Sequence, residues 1–241
     1  MASESVLREK LATCVRIMNM QGLMGLFGHV STYQPEKGRI YFSPSKGADK
    51  SIVKPDDLVV ADLEGKVLDG KGSVPKEWSI HTAVHRARRD ALAVAHLHSP
   101  YSTLFAVARC PYRPVTLQGA IFGDGIPVFK DPRLITTPAL GGKVAKLMGK
   151  KRAVLLRGHG TVVGARDVEE MLYATMILED DTRKAAQARP LGKLQVFSPA
   201  ECRLFESEEP LASRSERAWY YFTQLEARWD RQPTTGIGLF V

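Results

Sequence analysis

Cysteine is scarce in this sequence. Cys14, Cys110 and Cys202 lie far apart, are odd in number and show no ligand spacing. That excludes a disulfide framework or a thiolate metal cluster and suits a reducing cytoplasm, the expected location. Cys14 falls among apolar residues at helical spacing and is expected in a core. No apolar run approaches the roughly 18 residues of a spanning helix, so no membrane partner is expected. The opening MASESVLREK is polar and charged where an export signal would carry an apolar core. Repeats, low-complexity tracts and long linkers are also missing. One domain over residues 1–241 is the expectation, large enough to bury roughly three-quarters of its unfolded surface.

Charge is present in excess of one sign. Lysine and arginine number 34 against 26 acidic residues, for a net charge of +8. The cations are scattered in short groups such as Arg86, Arg88 and Arg89, or Lys150, Lys151 and Arg152. No basic stripe interleaved with aromatics appears, so no nucleic-acid partner is expected. Such a surface instead helps to attract a small anionic substrate.

Periodicity supplies the elements. Val6, Leu7, Leu11, Cys14, Val15 and Met18 share a face and predict a helix over 5–21, stopped at Gly22. Strand-like runs follow at 28–33, 39–42, 57–63 and 66–68, separated by glycine and proline. A helix over 75–87 opens on Pro75, and a compact apolar strand over 91–98 precedes a helix over 99–108. A helix over 137–148, a buried strand over 153–156 and a helix opened by Asp167, with Glu170 as capping-box partner, come next. Helices over 199–205 and 213–229 complete the chain. The mixture predicts an α/β fold with a central, mostly antiparallel sheet and helices on its faces.

Three segments offer chemistry. In Ala93-Val94-Ala95-His96-Leu97-His98, strand alternation points His96 and His98 the same way and Leu97 into the core. Two such imidazoles either share a cation or sit as hydrogen-bonded or exposed strand histidines. In Arg157-Gly158-His159-Gly160, a histidine between glycines occupies a sharp turn; with the first pair it supplies the third nitrogen of a catalytic metal site. Glu77, His81 and His85 recur at four-residue spacing on one helix face. Glu77 suits a fourth ligand or a general acid/base, His81 a residue orienting a ligand or substrate, and His85 surface or helix packing.

The order of Gly28-His29-Val30-Ser31, Ser43-Pro44-Ser45-Lys46-Gly47, Glu77 with His81, His96-Leu97-His98 and Gly158-His159-Gly160 resembles the class II aldolase/adducin family. The resemblance covers about residues 5–190 and implies that family's three-layer fold. It further implies one divalent ion per subunit, zinc foremost with manganese, iron or cobalt as alternatives, on His96, His98 and His159. Glu77 would then be the catalytic acid/base, able to touch the metal. A homotetramer with active sites between subunits is also implied. Helices beyond about residue 198 would contribute to subunit contacts or the pocket, through Tyr220 or Tyr221.

This sequence departs from the family's sugar-phosphate pattern. Serines that precede the glutamate are replaced by Pro75 and Lys76, and proline offers neither hydroxyl nor N–H. The Gly-Asn that helps hold substrate is Gly28-His29, and Lys46 is inserted ahead of Gly47. A pocket with His29, Ser45 and Lys46 suits a carboxylate, and Gly-His-Val-Ser resembles the family's decarboxylases of hydroxylated aromatic acids, such as dihydroxyphthalates. The expected function is a metal-dependent carbon–carbon lyase decarboxylating a hydroxy- or keto-carboxylate, with Glu77 and His29 catalytic and Ser45, Lys46, His81, Tyr220 and Tyr221 binding substrate. The alternatives are an aldolase or epimerase acting on a sugar phosphate, and a non-catalytic adducin-like binding protein. Residues 119–130 and those after Arg189 are expected to shape the pocket.

Overall fold

A computed structural model describes residues 3–45 and 47–229. Its helices are α1 (Glu4–Met20), α2 (Trp78–Ala87), α3 (Pro100–Val107), α4 (Pro138–Met148), α5 (Val168–Ala188), α6 (Pro199–Glu208) and α7 (Leu211–Arg228). Its strands are β1 (His29–Gln34), β2 (Arg39–Phe42), β3 (Val59–Ala61), β4 (Val67–Asp69), β5 (Ala93–Leu97), β6 (Val128–Phe129), β7 (Ala153–Leu156) and β8 (Gly160–Ala165). The strands form one sheet in the order β4-β3-β2-β1-β5-β8-β7-β6. Every pairing is antiparallel except β6 with β7. The expected α/β architecture is what the chain adopts.

Strand alternation splits the core in two. Val30, Ala93, Ala95 and Leu97 point to one face, where residues of α1, α3 and α5 cover them. Val94, Val154 and Val162 point to the other, against Ile80 and Val84 of α2 and Val144 and Met148 of α4. His96 shares the parity of Val94, so it rises on the α2 side while Leu97 is buried opposite. Cys14 is fully buried in the first core. Phe122 and Phe129 are core residues too, and Trp78 packs on Gly65.

Local signals mostly hold, with instructive exceptions. Asp167 caps α5 by accepting from the Glu170 amide at 2.8 Å. The return half of the capping box is missing, because the Glu170 carboxylate is taken by Arg152 at 2.7 Å. Helix α2 begins three residues later than expected, which leaves Glu77 at its N-cap with φ −103° and ψ 32°. The sequence reading also missed β6 and β8; the latter is buried throughout, so it lacks alternation. No helix among the described residues is long and apolar enough to cross a membrane.

One close approach ties the fold to the site. A Cβ on Gly160 would overlap the Leu97 carbonyl oxygen and press on the His98 ring. Gly160→Ala is therefore expected to push β8 from β5 and cost roughly 1–3 kcal/mol in denaturant unfolding. Gly142→Ala, whose Cβ would meet nothing within 4 Å on α4, is the control and should be neutral or stabilising by up to about 1 kcal/mol.

Candidate metal centre and its cavity

Antiparallel register assembles the site. His29 on β1 lies directly opposite His96 on β5, and His96 opposite Val162 on β8. The hairpin from β7 to β8 turns through residues 157–159, with the His159 amide bonded to the Leu156 carbonyl at 3.1 Å and Gly158 at φ +62°. That turn folds His159 back over β5. The His96, His98 and His159 ring centroids lie 4.8–5.0 Å apart.

The three imidazoles face one carboxylate. Glu77 Oε2 is 3.4 Å from His96 Nε2 and 3.3 Å from His159 Nε2, and His96 Nε2 is 3.2 Å from His98 Nε2. Four ligands at 2.0–2.1 Å around a tetrahedral ion are separated by about 3.4 Å, close to these values. The donor atoms of Glu77, His96, His98 and His159 all lie within 4.8 Å of one another. His159 Nε2 is buried without a properly oriented hydrogen bond, an expense that a ligating ion would remove. His96 Nδ1 donates to the Thr161 carbonyl at 3.0 Å, which leaves its Nε2 lone pair aimed at the cluster. The donor set therefore fits a divalent cation.

Electrostatics agree with ligation. Burial and the neighbouring His96 and His159 hold His98 down to about 4, so it is neutral near pH 7. Burial alone would raise the Glu77 carboxyl, but the His159 and His96 imidazoles beside it and the Ile135 amide more than offset that. They hold it well below the usual carboxylate range. Its Oε1 accepts from the Ile135 amide at 2.7 Å, so Oε2 is left to face the histidines.

A cavity of about 590 Å³ opens on this centre, within the range of small-molecule sites. His29, Ser45, Glu77, Lys76 and His98 contribute to its wall, with Leu26, Phe27 and Leu134 supplying apolar surface. Phe27 stacks on His98 at 5.5 Å. Lys50, which the sequence reading passed over, lines it as well. Its Nζ donates to the Gly25 and Leu26 carbonyls, and burial lowers its proton affinity. A lone lysine in a loop carries no sequence signal for this role.

Other expected residues fall elsewhere. His81 is fully buried and does not line the cavity; it stands behind His29, whose Nδ1 is 2.7 Å from His81 Nε2. That position suits the orienting role expected for His81 rather than contact with a substrate in this cavity. His85 is not on the surface but buried beneath Ser31. Tyr220 and Tyr221 are exposed on α7 and do not line this chain's cavity. Among the described residues, neither do residues 119–130 or 190–229. Lys46 lies outside the described residues.

His159→Ala should abolish stoichiometric retention of a divalent ion while leaving the fold intact. Elemental analysis of the purified variant beside its circular dichroism checks this; full metal content would remove His159 from the centre.

Residues 9–184 match the family described as the class II aldolase and adducin N-terminal domain. The chain is 30% identical over 195 residues to a 5-deoxy-D-ribulose 1-phosphate aldolase of Bacillus thuringiensis serovar kurstaki, covering 80% of this chain and 91% of that protein. It is also 30% identical over 188 residues to a 3,4-dihydroxyphthalate decarboxylase of Rhodococcus jostii, covering 73% and 77%. Identity alone thus does not separate the two activities. A solved L-fuculose 1-phosphate aldolase superposes with a TM-score of 0.78 at 28% identity, over 86% of this chain and 97% of that one. This chain belongs to the class II aldolase and adducin N-terminal domain family.

Proposed function

We propose that this chain is a divalent-metal-dependent carbon–carbon lyase that decarboxylates a hydroxylated carboxylate such as a hydroxyaromatic acid. The observation that carries the reading is the Glu77–His96–His98–His159 donor cluster, of which Glu77 and His98 line a cavity that also holds His29 and two lysines. His96, His98, His159 and Glu77 would hold the ion, zinc foremost. A bound divalent cation supplies Lewis-acid stabilisation for negative charge developing on a substrate oxygen.

The chain's own residues supply the rest. Lys76, Lys50 and the Ser45 hydroxyl favour an anionic group at the cavity wall. The apolar surface of Leu26, Phe27 and Leu134 accepts a ring or hydrocarbon body and excludes water. Glu77, held ionised by its neighbours, begins as a base. As the bond to the carboxylate breaks, carbon dioxide departs and the electron pair stays on the substrate carbon. The proton that Glu77 takes from a substrate hydroxyl is then returned to that carbon, and the hydroxyl oxygen keeps the negative charge. Pro75 and Lys76 beside Glu77 favour a carboxylate over a phosphate, because proline lacks the donors that cradle a phosphoryl group.

Within this reading the enzyme is a homotetramer with active sites between subunits. Tyr220 and Tyr221 would then serve a neighbouring copy's cavity, which accounts for their exposure here. The aldolase alternative rests on the relatives named above, one of them an aldolase at the same identity as the decarboxylase.

A screen of hydroxyaromatic acids and sugar phosphates, following carbon dioxide and aldehyde together, separates the two. The proposal expects carbon dioxide from a hydroxy-acid, lowered roughly 100-fold or more in kcat by Glu77→Gln. Aldehyde from a phosphorylated sugar, with no carbon dioxide from any acid, would overturn it.

A further inference from the structure

The chain contains six histidines, and all six fall into one array. Three are in the donor cluster. The other three, with one serine, form a hydrogen-bonded file running from the cavity into the protein. His29 Nδ1 is 2.7 Å from His81 Nε2, and His81 Nδ1 is 2.8 Å from Ser31 Oγ. Ser31 Oγ is 3.0 Å from His85 Nε2, and His85 Nδ1 is 2.8 Å from the Ala91 carbonyl oxygen.

The file follows from two matched repeats. Residues two apart on a strand advance about 6.8 Å, and residues four apart on a helix advance about 6.0 Å. His29 and Ser31 on β1 therefore interleave with His81 and His85 on α2, like the teeth of two combs.

The far end fixes the direction of every bond. A carbonyl oxygen only accepts, so His85 Nδ1 carries the hydrogen. His85 is buried and held down to about 4 by that burial, so its ring is neutral and Nε2 is bare. Nε2 must then accept from the Ser31 hydroxyl. Ser31 Oγ, having donated, accepts from His81 Nδ1–H, and His81 Nε2 accepts from His29 Nδ1–H. The reverse order would set a bare His85 Nδ1 against the carbonyl oxygen and leave two buried acceptors facing each other.

We infer that His81, Ser31 and His85 are positioning residues that lock His29 in its Nδ1–H tautomer, so that His29 presents a bare Nε2 to the cavity and accepts a hydrogen bond from a substrate hydroxyl. His29 lines the cavity, and its Nε2 has no hydrogen-bond partner among the described residues. This revises the expectation that His29 helps to hold a carboxylate: it does not donate to one there, and the anionic group falls to Lys50, Lys76 and Ser45. The hydroxyl-bearing substrate class rests on the proposed lyase reading; the tautomer does not.

Long-range proton–nitrogen correlation spectra of zinc-loaded, histidine-labelled protein read the tautomer directly, with His29 assigned by its loss in His29→Gln. The expected spectrum shows His29 protonated at Nδ1 and bare at Nε2. Ser31→Thr should keep that pattern, and Ser31→Ala should populate both tautomers. A wild-type His29 protonated at Nε2, or an unchanged tautomer in Ser31→Ala, overturns the inference; if Ser31→Ala does not fold, the wild-type spectrum decides alone. Added catechol should shift the His29 Nε2 resonance and benzoate should not. No shift at saturating catechol, or a shift with benzoate alone, removes the hydroxyl assignment. These readouts need no turnover, so they stand or fall separately from the decarboxylase reading.

Discussion

The site depends on the register of three antiparallel strands. β1, β5 and β8 place His29, His96 and Val162 side by side across the sheet, and the next pair sets Leu97 against Thr161. From that pairing come the His96 bond to the Thr161 carbonyl and the return of His159 over β5. A slip of one residue would send His96 to the opposite face and Leu97 into the cavity. The paired strands are buried on both sides, so the register is strongly specified. The close passage at Gly160 shows how little slack remains.

Upon that frame the chain gathers three imidazoles around one carboxylate, from buried His96 through half-buried His159 to exposed His98. Such a cluster is costly when its nitrogens lack partners, and His159 Nε2 lacks one. Neutral rings with lone pairs turned inward are what a divalent cation requires, and Glu77 supplies the negative charge. The tautomers are set from outside the cluster: the Thr161 carbonyl fixes His96, and the Ala91 carbonyl fixes His29 through three intermediaries. Backbone acceptors thus decide which way side-chain protons face at the cavity.

Much of this was legible in the sequence where the signal was periodic. The histidine–leucine–histidine alternation gave the facing of His96 and His98, and glycines on both sides marked His159 as a turn residue. The helical spacing of Glu77, His81 and His85 was visible, but not what lay opposite it. Ser31 sits two residues from His29 and so shares its face, yet nothing local says that β1 packs beneath α2. That proximity is tertiary, and it sets His81 in the layer behind the cavity wall and makes His85 the packing residue of its two expected roles rather than the surface one. Strand β8 escaped notice because burial on both faces erases alternation. Lys50 was missed because a loop lysine is ordinarily solvated; here two carbonyls hold it in place.

The central claim is that Glu77, His96, His98 and His159 hold one catalytic cation. X-ray absorption at the metal edge of the purified, zinc-loaded protein tests it most directly. The account predicts one ion per chain with nitrogen and oxygen neighbours at about 2.0–2.1 Å and no sulfur in the shell. Sulfur ligation, or a spectrum of hydrated ion alone, would contradict it.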